Sequence, residues 1–199
     1  MGDTKEKKPL AAKELTMTAI FTVLTAVLAQ IAIPLPFSPV PISFGLVAVY
    51  MTGILLKPKH AVMAQVCYLL LGAVGVPVFG GFKGGIGALF GPTGGYLLVY
   101  PIMVLIVSMA INGVKSSPTK KSTTFVRAGV AIVIAHLILY MGGTTWLSIT
   151  TGNTFGAALA LAVIPFIPLD IVKILFCIFA IVPFRARMIS MNLLMLDKR

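Results

Sequence analysis

Apolar runs long enough to cross a bilayer, repeated along one short chain, leave little choice of fold. A run of about 18 or more apolar residues is the membrane-helix signal. The sequence carries six apolar segments, at 15–33, 42–56, 61–76, 95–114, 126–147 and 166–184. Only 11% of its 199 residues are charged and 58% are hydrophobic, against roughly 25% charged in a soluble domain. Such a chain cannot cover a water-facing surface. The expected fold is an all-α integral membrane protein with six transmembrane helices. The second segment is short, which implies unusual tilt or shielding by neighbouring helices. Between the last two segments, 148–164 is part polar and part apolar and reads as a loop followed by a short or re-entrant helix.

The cations sort by side. Lys5, Lys7, Lys8 and Lys13 precede the first segment, and Lys57 and Lys59 join the second and third. Lys115, Lys120, Lys121 and Arg127 join the fourth and fifth, and Arg185, Arg187, Lys198 and Arg199 follow the sixth. That is fourteen of the sixteen Lys and Arg on one side, leaving Lys83 opposite and Lys173 within a segment. Positive charge in short loops marks the cytoplasmic face, so both termini are expected inside. The formal net charge of +11 is thereby explained without nucleic acid. Nothing resembles a signal-peptide cleavage site ahead of the first segment. Cys67 and Cys177 lie in apolar runs and read as packing residues.

The outer connections are then 34–41, 77–94 and 148–165, and none is a plain polar loop. The first, Pro34-Leu-Pro-Phe-Ser-Pro-Val-Pro41, reads as a stiff extended segment, since proline fixes φ and removes a donor. The second is glycine-rich from Phe79 to Tyr96, a composition that lets backbone approach a ligand. Gly142, Gly143 and Trp146 lie just ahead of the third, which carries Asn153.

Asp170 is the only acid between Glu14 and the C-terminal tail. An ionisable group in a membrane segment is expensive and usually functional. Lys173 follows at i+3 on the same helix face. The pair is either a structural ion pair between helices or a polar anchor for a ligand. Gly91-Pro-Thr-Gly-Gly-Tyr96 is a turn that could also touch a ligand, but no G-x-x-x-x-G-K-[ST] phosphate loop occurs in the sequence. Thr18, Thr22 and Ala26, flanked by Thr25 and Ala29, form a small-residue stripe for close helix approach, either internal or to a further membrane subunit. His136 reads as a packing residue before a proton relay. Gln30, Tyr96, Tyr140 and Trp146 lie near outer segment ends, as interfacial anchors or as pocket walls. No Ser-His-Asp set, metal-spaced cluster or carboxylate pair suggests an enzyme.

The ordered set Pro34–Pro41, Gly75-Val-Pro-Val-Phe79, Gly91-Pro-Thr-Gly-Gly-Tyr96 and Ile167-Pro-Leu-Asp-Ile-Val-Lys173 resembles the BioY family. These are biotin-specific substrate-binding (S) components of energy-coupling factor (ECF) transporters. The family's Thr-x-Gln after the proline-rich loop is replaced by Ile42-Ser43-Phe44. The resemblance implies a six-helix S-component fold that binds biotin from the outer side without a cofactor. It also implies uptake driven by a membrane coupling subunit and two cytosolic ATPases. Residues 1–14 would form a basic cytoplasmic segment, 15–190 the membrane substrate-binding domain and 191–199 a cytoplasmic tail, in a bacterial plasma membrane. Asp170 and Lys173 would hold the polar ends of biotin. Phe79, Tyr96, Tyr140 and Trp146 would form walls, Gly84 and Gly85 would offer backbone N–H groups, and Ser43 and Gln30 would lie nearby. The stripe Thr18, Thr22, Ala26 with Thr25 and Ala29 would dock the coupling subunit. An S component for riboflavin or thiamin, or a stand-alone channel or carrier, are the alternatives.

Overall fold

The computed structural model describes residues 8–112 and 121–191. Lys5, Lys7, Lys115, Lys120, Lys198 and Arg199, half of the predicted N-terminal segment and nearly all of the predicted C-terminal tail lie outside them. The chain runs α1 (Lys8–Gln30), β1 (Ala32–Leu35), β2 (Ser38–Ser43), α2 (Gly45–Leu55), α3 (Pro58–Ala73), α4 (Ile86–Phe90), α5 (Gly94–Asn112), α6 (Lys121–Thr151), α7 (Phe155–Ala162), α8 (Ile167–Phe176), a π-helical turn (Cys177–Ile181) and α9 (Val182–Ser190). The last three elements form one continuous apolar rod.

Among the described residues, four stretches are long and apolar enough to cross a membrane: Ala12–Gln30, Gly94–Asn112, Thr123–Thr151 and Ile167–Ser190. Their outward faces are greasy. Ile20, Val23 and Val27 on α1, Val130, Ile134 and Leu137 on α6, and Val172 and Phe179 on the last rod are all exposed. Apolar surface on this scale fits hydrocarbon, not water. Cys177 is buried, whereas Cys67 is exposed on α3 rather than packed inside.

Helix α2 is short because it is wrapped. Nine of its residues are buried, Val47 to Tyr50 and Thr52 to Leu55 among them. It packs against α1, α3, α5 and the last rod. Gly53 lets α5 close in: a Cβ there would stand 2.9 Å from that of Val107. Pro58 then starts α3 at its first turn, where its missing N–H is harmless.

Most of the small-residue stripe of α1 faces inward in this chain. Thr18, Thr22, Thr25 and Ala29 are buried, and Ala26 is half-buried. Thr22 donates to the Ala64 carbonyl of α3 at 3.0 Å, and Thr25 accepts from Gln65 at 3.2 Å. Small side chains bring α1 close to α3.

The proline-rich loop is a β-hairpin, not an unpaired extended segment. Ala32 pairs with Ser43, Ile33 with Ile42 and Leu35 with Ser38, with an irregularity at Pro34. A two-stranded ribbon is all edge, so prolines can sit where their absent N–H would have faced outward.

At the opposite end of the bundle, Lys57 and Glu14 form an ion pair at 3.0 Å. Arg185, expected in a loop, is instead buried in α9. It donates to the Ile54 carbonyl and to Asn112 Oδ1, each at 2.8 Å. Ser108 and Asn112 donate to the Leu56 carbonyl at 2.6 and 3.1 Å. These groups satisfy carbonyls that the end of α2 leaves without helical partners. The π turn precedes Pro183, which cannot donate to the preceding turn and crowds its carbonyl. The Val182 N–H accordingly reaches back five residues, to the Cys177 carbonyl.

Candidate functional site

Pro168 opens α8, and two residues later the helix turns Asp170 inward. Asp170 and Lys173 are 3% and 6% exposed, an ion pair withdrawn from solvent. Lys173 Nζ donates to Asp170 Oδ1 at 3.0 Å. Tyr140 of α6 donates its hydroxyl to Asp170 Oδ2 at 2.7 Å. His136, one turn earlier on α6, sets Nε2 3.2 Å from the same Oδ2. That contact is within ion-pair reach but too poorly aligned to count as a hydrogen bond. Behind it, His136 Nδ1 is bound to the hydroxyl of Tyr50 on α2. The Tyr140 ring stands edge-on to the imidazole, with centroids 4.3 Å apart.

The pair forms one wall of a cleft of about 430 Å³, measured out to its open mouth. β2 contributes Val40, Pro41 and Ser43, α2 Leu46, α5 Tyr96 and Tyr100, α6 Leu139 and Tyr140, and the α7–α8 corner Ala162 and Phe166. An apolar, aromatic cleft with one acceptor–donor pair suits a mostly apolar ligand with a compact polar head.

The predicted site residues divide. Asp170, Lys173, Tyr140, Tyr96 and Ser43 line the cleft. The Ser43 hydroxyl is already engaged, donating to the Ala29 carbonyl and accepting from the Gly45 N–H at 3.0 Å. Phe79, Gly84, Gly85, Trp146 and Gln30 do not line it, because each is committed elsewhere. Phe79 is 2% exposed and wedged over Gly72, where any Cβ would strike its ring. The Gly85 N–H is donated to the Gly72 carbonyl at 2.7 Å. A Cβ at Gly84 would run into the Val76 carbonyl. Trp146 donates Nε1 to the Gly91 carbonyl at 3.0 Å and bolts the α4–α5 corner to α6. Gln30 donates to the Val78 carbonyl at 2.9 Å and accepts the Phe82 N–H at 2.8 Å. That grip holds Phe82 at φ +57°, a left-handed conformation unusual for a bulky residue.

Tyr100, Leu139 and Phe166 were not anticipated. For two of them spacing was a usable signal: Tyr100 lies four residues after Tyr96, and Phe166 four before Asp170, so both share a helix face with a predicted residue. Gly143 is the counterpart of Tyr96, since a Cβ there would overlap the tyrosine ring. Gly143→Ala should therefore displace Tyr96 and lower unfolding stability by about 1–3 kcal/mol, as overpacking does. Denaturant unfolding in detergent measures it, and an unchanged midpoint would refute the contact.

A family model for the BioY family matches residues 4–190. The chain belongs to the BioY family. Among its relatives is a probable biotin transporter BioY of Pyrococcus horikoshii, 36% identical over 82% of this chain and 91% of the relative. Biotin transporter BioY2 of Lactococcus lactis is 35% identical over 86% and 90%. The fold matches a crystal structure of the S-component for biotin from an ECF-type ABC transporter, with a TM-score of 0.82 at 24% identity over 92% of this chain and 95% of that one. This BioY-family chain is thus a helical membrane protein with an S-component fold.

Proposed function

We propose that the chain is the biotin-capturing membrane subunit of an ECF transporter, binding the vitamin in the cleft above Asp170 and Lys173. The carrying observation is that buried pair, set among aromatic walls in a chain whose relatives are named biotin transporters. Biotin presents a cyclic urea, an apolar thioether ring and chain, and a carboxylate. One edge of the urea sets an N–H beside its C=O. Asp170 Oδ1 and Lys173 Nζ, 3.0 Å apart, offer an acceptor beside a donor. Lys173 has three donors and uses one on Asp170, so it can serve the ureido oxygen while Asp170 takes the adjacent N–H. Tyr96, Tyr100, Leu139 and Phe166 then flank the rings and chain.

Six membrane spans with both termini inside are the matching topology. The basic end with Lys57 and Arg187 faces the cytoplasm of a plasma membrane, and the hairpin and cleft face outward. Energy comes from a separate module of a membrane coupling subunit and two cytosolic ATPases, since the sequence holds no phosphate loop. No catalytic step is assigned to this chain.

Equilibrium binding of labelled biotin to the purified chain tests the reading, with riboflavin and thiamin as competitors. Retained biotin that neither competitor displaces is expected. Displacement by either vitamin, or no biotin binding at all, would overturn the assignment.

A further inference from the structure

Two buried residues outside the cleft touch the Asp170 side of the site without lining it. We infer that His136 is a positioning residue for Asp170, and that Tyr50 fixes the imidazole tautomer that lets it act; the inference rests on Asp170 being the ligand-binding carboxylate.

For a neutral imidazole the geometry leaves one workable proton arrangement. His136 Nε2 stands 3.2 Å from a carboxylate oxygen. A bare nitrogen lone pair facing Oδ2 in a nearly water-free interior would be two acceptors in repulsion. Nε2 therefore carries the proton, and in the neutral ring Nδ1 is then an acceptor. Tyr50, 1% exposed on the wrapped helix α2, supplies the donor that Nδ1 needs. The Tyr140 ring braces the imidazole from the side. The groups around His136 from the packed elements are thus Tyr50 from α2, Tyr140 from its own helix, and Asp170 from α8.

Oδ2 is held from behind by the Tyr140 hydroxyl, with His136 Nε2 close beside it, and Oδ1 is bound to Lys173. Rotating the carboxylate to give Oδ1 to a ligand would weaken its hold on Oδ2 unless donors follow it from both sides. His136 Nε2–H, close but misaligned in this structure, is placed to align as Oδ2 turns. The side chain thus contributes to ligand affinity through Asp170 alone.

The test uses the full-length purified chain. His136→Leu should weaken biotin binding by about 10- to 100-fold, the effect of losing one hydrogen bond to a charged group. His136→Gln, which can accept from Tyr50 and donate toward Asp170, should recover most of that loss. Tyr50→Phe should weaken binding less. In an Asp170→Asn background, His136→Leu should change affinity by no more than about twofold, since its partner is already altered. Native-like affinity of His136→Leu, failure of Gln to rescue, or an undiminished loss in the Asp170→Asn background would overturn the inference. A readout without ligand separates it from the biotin assignment. Isotope-labelled histidine NMR, with His60→Gln to remove the other ring, should show His136 protonated at Nε2, with the tautomer mixed in Tyr50→Phe. A ring protonated at Nδ1 sinks the inference even if biotin binds, whereas an Nε2–H ring in a chain that ignores biotin sinks only the ligand assignment.

Discussion

Lys173→Ala should abolish most biotin binding and also destabilise the protein, whereas replacing Lys173 and Asp170 together by leucine should restore stability but not binding. The single change leaves a carboxylate that is 3% exposed without its ammonium partner. Breaking a buried pair costs about 3–5 kcal/mol, while replacing both members by packed apolar groups is often neutral. Losing one partner of a buried charged contact to a ligand costs roughly 2–5 kcal/mol of affinity. The two measurements therefore part company in the double variant, which a purely structural ion pair would not predict. Equilibrium biotin binding beside denaturant unfolding decides it. A double variant that binds biotin like its parent would remove the pair from the site.

That pair was legible in the sequence because charge is so rare in it. One acid between Glu14 and the C-terminal tail, three residues before an intramembrane lysine, had few roles to fill. The helical segments were legible for the same reason, since their apolar length has no soluble use. The three-dimensional company of the pair was not. Tyr50 and His136 lie 86 residues apart and meet only because α2 is buried at the centre. Nothing local marks a tyrosine in a greasy run as a partner rather than a wall.

The pairing in the hairpin was not legible, because extended backbone is common to polyproline and β-structure. Pairing depends on the returning strand, which proline content does not report. The glycine-rich segment makes a different use of its backbone. Its glycines read as backbone offered to a ligand, yet the Gly85 N–H goes to Gly72, and Gly72 itself makes room for Phe79. Close approach was the right inference; the approaching group was another part of the chain. In the small-residue stripe of α1, likewise, Thr22 and Thr25 are bonded to α3.

Arg185 is the largest departure, and it carries the other large expected effect. Counted by position it is one more cation in a basic connection; in the fold it is 4% exposed and caps α2. Its two nitrogens reach acceptors on different helices, the Ile54 carbonyl and Asn112 Oδ1. Arg185→Met keeps much of the stem and removes the donors. Each acceptor left stranded costs about 1–3 kcal/mol, and buried helical interior offers no water to replace the donor. Arg185→Lys should recover only part of the loss, because an ammonium lacks the planar fork that serves two acceptors at fixed angles. The site lies at the far end of α2 from the cleft, so biotin affinity of the folded fraction should change little. Unfolding midpoints ranked native, then Lys, then Met, with nearly constant biotin affinity, are the expected result. Equal midpoints would mean that the α2 terminus is held without the guanidinium. A loss of affinity matching the loss of stability would mean that α2 transmits strain from its capped end to the Tyr50–His136 contact.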